Sequence, residues 1–196
     1  MTKPSDFEPE DEMIGFPAAM LYANAAEWWI HKNVLHGPGK KRESFWSFHF
    51  HEHHNASRRH DMVDDAYERS LFAWHAQSKE ALGVFGLAAI HTPLLPVAPG
   101  FVAGVWFSAA LYYRRHKRSH EDPTWAREHL PWHVDHHMGP NQDANWCVTF
   151  PWWDHVMGTR EYYVGTEREA KDRAKAARRA QRRAERAAAA EQKIAS

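Results

Sequence analysis

The sequence predicts an all-α fold, a membrane-embedded helical hairpin joined to a helical cap. Three observations predict it. Residues 81–113 contain no Asp, Glu, Lys or Arg across 33 positions, which marks a segment that leaves water. Ten of the 16 histidines fall into four clusters at helical spacing: His31-x4-His36, His49-x3-His53-His54, His116-x3-His120 and His133-x2-His136-His137. The chain closes on a stretch rich in Ala, Arg, Glu and Lys, the strongest helix formers.

In chain order, residues 1–12 carry five acids against one lysine and read as a disordered leader without the basic region of a secretory signal. Met13 to Ile30 is an apolar helix, interrupted by Pro17, Asn24 and Glu27, that suits a tilted or interfacial position. Within 81–113, Pro93, Pro96, Pro99 and Gly100 break the run into two arms, about 81–92 and 100–113. Each arm is about 18–21 Å long, short of a hydrocarbon core of about 30 Å. A single crossing would put His54 and His116 on opposite sides of the membrane, so a shared site requires the run to turn back. Lys40, Lys41 and Arg42, with Arg114, Arg115, Lys117 and Arg118, place the histidine side in the cytoplasm. Residues 13–166 thus form one domain, and 167–196 form a basic helical tail with ten Lys/Arg against five acids.

Imidazole binds first-row metals while neutral, so a site built from it gathers donors without accumulating buried negative charge. A single closed site takes about four ligands, and ten candidates match two ions. Other metal signatures fail. A zincin needs H-E-x-x-H, but His51-Glu52-His53-His54 is followed by Asn55. A ferritin-like site needs Glu-x-x-His, which occurs nowhere, and Cys147 is the only cysteine, so zinc ribbons, iron–sulfur clusters and intrachain disulfides are excluded. Acids near the clusters that could accept an imidazole N–H are Glu27, Asp135 and Asp154. His60, His75, His91 and His155 lie outside the spacing and read as structural or solvent-facing. His91 is the odd one, because it sits beside the proline turn of an apolar hairpin.

The four clusters together, with the segment Asn145-Trp146-Cys147-Val148-Thr149-Phe150-Pro151-Trp152-Trp153-Asp154-His155-Val156-Met157-Gly158-Thr159, resemble the fatty acid hydroxylase / sterol desaturase superfamily. The resemblance covers roughly residues 14–162, and the stretch from Glu27 to His53-His54 is also similar to beta-carotene hydroxylases. It implies an integral-membrane enzyme in which two Fe ions, replaceable by Zn on purification, use O2 to hydroxylate or desaturate a C–H bond of a fatty acyl chain, sterol or carotenoid. The expected metal ligands are His31, His36, His49, His53, His54, His116, His120, His133, His136 and His137. The second cluster departs from the family's H-x2-HH, since Phe50 occupies its first position. On an α-helix His49 lies about 40° from His53 and about 140° from His54, whereas His51 spans about 160°, which favours His49. His129, four residues before His133, is an eleventh candidate. Electrons must come from a ferredoxin-like or cytochrome-type donor, because no haem, flavin or cluster motif is present; nucleic acid is not an expected partner. The rival readings are a zinc-dependent enzyme and a non-catalytic metal-binding membrane protein.

Overall fold

The computed structural model describes residues 9–195, and among these there is no strand. Helix α1 spans Pro9–Ile30 and winds on as a π turn over His31–Leu35. A second π segment, Phe48–His53, leads directly into α2, His54–Arg59. The hairpin follows as α3 (Ala76–Ala89) and α4 (Pro99–Glu121), then come α5 (Pro123–His129), α6 (Pro131–Met138), α7 (Trp152–Val156) and α8 (Glu167–Ala195). Of the predicted leader, residues 1–8 lie outside the described residues, and 9–12 begin α1.

The proline-rich turn is where the sequence places it, but the arms differ from expectation. The first begins five residues earlier, because His75 and Ser78 form a reciprocal cap at its start. The second runs on to Glu121 and delivers His116 and His120 from its last turns. Helix α4 is therefore half apolar and half charged. Among the described residues no helix is long and apolar enough to cross a membrane, so the expected spanning hairpin is present as a hairpin only.

Small side chains let α1, α3 and α4 approach closely. Ala19, Ala88, Val105 and Ala109 form their shared core. A Cβ added at Gly104 would fall 2.6 Å from that of Ala19 and 2.8 Å from the Phe16 carbonyl oxygen, so the α1–α4 crossing needs glycine there. Ile14, Leu21, Leu82, Ile90, Val97 and Phe107 point outward and are exposed, which leaves this three-helix bundle apolar inside and out. The histidine-bearing end is covered by Trp28, Trp146 and Cys147 on one side and by Met62, Ala126 and Val134 on the other.

Candidate metal centre

All ten predicted ligands are buried, and the structure gathers them into two adjoining groups. His31, His36, His49, His54 and His136 form the first; His53, His116, His120 and His137 form the second. His133 joins the second through its Nε2, which lies 3.1 Å from Nε2 of His120. The first and third clusters each serve one group, as the spacing suggested, but the second and fourth do not. The adjacent pairs His53-His54 and His136-His137 are divided between the groups, and the rings of His54 and His137 meet across the boundary at 4.3 Å.

Local winding decides the division. His31 and His36 are five residues apart, and the His36 N–H donates to the His31 carbonyl at 2.9 Å. His49 and His54 repeat this, with the His54 N–H donating to the His49 carbonyl. A π turn has i→i+5 hydrogen bonds, so it brings ring i over ring i+5 where an α turn would splay them. Both i,i+5 pairs enter the first group. The i,i+4 pair His116/His120, on the regular helix α4, enters the second.

Hydrogen bonds at the outer ring nitrogens aim the inner ones. In the first group, Nδ1 of His31 donates to the Trp146 carbonyl at 2.6 Å and Nδ1 of His136 to the Ala144 carbonyl at 2.7 Å. A neutral ring whose Nδ1 carries the proton presents a bare lone pair at Nε2. These lone pairs face other ring nitrogens, His49 Nε2 at 2.9 Å and His54 Nε2 at 3.1 Å. His54 Nε2 also lies 3.1 Å from that of His36 and 3.2 Å from that of His49. Donors about 2.1 Å from one ion and about 90° apart are about 3.0 Å from each other, so the spacing is that of ligands around a cation.

In the second group the outer partners include carboxylates. His53 Nδ1 donates to Asp64 at 2.8 Å, and His116 Nδ1 lies 2.6 Å from Glu80 Oε1 and 2.9 Å from the Tyr67 hydroxyl. Nδ1 of His120 donates to the Met62 carbonyl at 2.7 Å. On the inner side Nε2 of His53, Nε2 of His116 and both nitrogens of His137 are buried without a partner. A buried polar atom left so costs about 1–3 kcal/mol, and a metal ion would relieve several at once. Burial also holds these imidazoles neutral: that of His31 is pushed down to about 4, and those of His49, His54, His116, His120, His136 and His137 well below their ordinary value. The donor set therefore fits two metal ions.

The family model for fatty acid hydroxylase matches residues 16–159. The chain belongs to the fatty acid hydroxylase family. No curated protein and no solved structure matches it. Membership of this hydroxylase family and the buried histidine groups together support a metal-dependent lipid hydroxylase or desaturase in general terms.

Several expectations about single residues change. His51 turns away and its Nε2 meets the Lys40 carbonyl at 2.9 Å, while His49 stands in the first group. His129 stacks on Trp125 and bonds the carbonyl of the same residue, so it joins neither group. Glu27, Asp135 and Asp154 touch no imidazole. Asp154 instead accepts the backbone N–H of Trp146 at 2.8 Å and of Cys147 at 2.9 Å, and Glu27 that of Thr149 at 2.9 Å, so they hold the loop whose carbonyls orient His31 and His136. Asp135 pairs with Arg160 at 2.7 Å and takes the Tyr163 and Val164 N–H groups, which fastens the segment after α7 to α6. The acids and the phenol that do touch the rings are Asp64, Glu80, Tyr67 and, 3.4 Å from His36 Nδ1, Asp143; none is marked by the histidine spacing, because each reaches its histidine from another element. Glu80 had one legible mark, its place at the edge of the uncharged run.

A cavity of about 410 Å³ lies between α1, α3 and α4 and ends on His31, His49 and Glu80. Its walls are mainly apolar, among them Met20, Val84, Leu87, Val105 and Leu111. That is the size and lining of a small-molecule site.

Proposed function

We propose that the protein is a membrane-bound non-haem di-iron oxygenase that hydroxylates or desaturates a C–H bond of a lipid. The observation that carries this is the meeting of an apolar cavity with two adjoining groups of inward-facing imidazoles in a member of the fatty acid hydroxylase family. The first group would hold one iron and the second, with His133, the other. The chemistry that bound irons supply is reduction of dioxygen coupled to oxidation of a C–H bond. In hydroxylation one oxygen atom enters the product and the other leaves as water; in desaturation both leave as water, and an outside donor supplies the missing electrons.

The chain's own residues do the rest. Asp64, Glu80 and the carbonyls of Met62, Ala144 and Trp146 fix ring orientation and tautomer. The cavity walls hold an extended apolar chain with one carbon near His31 and His49 and keep bulk water from it. The outward apolar side chains of α1, α3 and α4 support immersion of the bundle in lipid from the cytoplasmic side, entering and turning back rather than crossing. A ferredoxin-like or cytochrome-type donor would dock beside the histidine end. Arg114 and Arg118 are the exposed cations of the basic run there, whereas Arg115 lies over Trp132 and Phe150 and Lys117 pairs with Glu121.

Elemental analysis of protein purified without oxygen, followed by lipid profiling of cells with and without the chain, tests the reading. Two irons per chain and an oxygen-dependent change in a lipid, abolished by His136→Ala, are expected. One zinc per chain with unchanged lipids, sterols and carotenoids would instead establish the zinc-dependent or non-catalytic alternative.

A further inference from the structure

The end of the cavity remote from the metal centre carries a polar pair that is in part exposed. Tyr22 of α1 and His91 of the proline turn both line it, with the Tyr22 oxygen 3.0 Å from His91 Nε2. His91 Nδ1 lies 2.8 Å from the Leu87 carbonyl, which can only accept, so Nδ1 carries the ring proton and Nε2 is a lone pair. Tyr22 therefore donates its own proton to His91. The phenol oxygen is left as an acceptor with no proton to give.

Charge at the two ends is equally unequal. Lys79 is the one cation lining the cavity; it stands beside Glu80 at the metal end, 3.2 Å from Glu52. A carboxylate or phosphate head at the His91 end would meet an acceptor oxygen without a counter-ion, among the exposed apolar side chains of Ile90, Leu94 and Val97. A hydroxyl head would donate to that oxygen. From Tyr22 to His31 along α1, and from Glu80 to His91 along α3, the separation is about 14–16 Å, on the order of ten to twelve carbon–carbon bonds.

We infer that Tyr22, with its hydroxyl oriented by His91, is a specificity-determining residue that selects a long, uncharged alcohol by its head and presents a carbon ten or so bonds away to the metal centre. The inference rests on the oxygenase reading for what happens at the far carbon, and on geometry alone for what binds.

The test uses the iron-loaded protein in detergent with a straight-chain alcohol, the carboxylic acid and the alkane of the same length, each brominated at the tail to quench tryptophan fluorescence. Wild type is expected to bind the alcohol several-fold to tenfold more tightly than the alkane or the acid, about the worth of one hydrogen bond. Tyr22→Phe should abolish that preference and leave alkane binding unchanged. Equal binding of all three by wild type, tightest binding of the acid, or equal weakening of alcohol and alkane by Tyr22→Phe would each overturn the inference. Alcohol-selective binding with no oxygen-dependent product would uphold the head site and sink the oxygenase reading.

Discussion

His49 and His51 stand two residues apart on one turn, yet one faces four other imidazoles and the other a backbone carbonyl near the surface. Replacing His49 with Ala should remove about one metal ion per chain, whereas His51→Ala should leave metal content unchanged; elemental analysis of both variants decides it, and equal losses would refute the assignment. Burial also gives these residues a pH dependence. The His31 imidazole ordinarily titrates at 6.5 and is held at about 4 in the fold, with most of the others also far below. Below about 6.5 the unfolded chain takes up protons that the folded chain refuses. Stability of the metal-free protein is therefore fully present above about 6.5 and lost as pH falls toward about 4. Guanidinium midpoints across this range should fall steeply with acid, and a flat profile would show that the rings are already solvated.

The elements that matter most are the two π segments. Each converts an x4 spacing into a pair of rings in edge-to-face contact, and each is irregular winding of the kind found at functional sites. Deleting Asn33 would leave His31 and its partner four residues apart and restore α winding. The expected outcome is metal at the second group alone, seen as a fall from two ions per chain to one with helix content by circular dichroism retained. Two ions bound by the deletion variant would mean that winding does not divide the ligands. This feature was half legible. The x4 and x3 spacings are visible in the sequence, but an α-helical wheel puts His49 nearer to His53 than to His54, and the structure pairs it with His54. The wheel assumed a regular helix, and the local winding that overrides it depends on how each segment packs.

At the scale of the molecule, the metal end and the apolar bundle are one body, and α8 stands apart from both. Only its first turns are tied down, by Glu169, which is 7% exposed, against Arg127 at 3.1 Å and against the Gly165 N–H at 2.8 Å. From Arg173 to Gln192 every side chain is exposed. Truncation after Arg173 should leave metal content unchanged and stability within about 0.5 kcal/mol, the range of surface changes that touch no core. Thermal melts and metal analysis of the truncated chain check this, and a lost ion would mean that the tail supports the centre.

The helical class, the hairpin turn at its prolines and the ten histidines were all readable from the sequence, because spacing, proline and the absence of charge act locally. Tertiary structure alone decided which group each histidine joins, that Asp64, Glu80 and Tyr67 aim the rings, and that His91 completes a polar pair with Tyr22 at the far end of the cavity. Those choices are made between residues as far apart in the sequence as His31 and His136, where no local rule reaches and only packing brings the groups together.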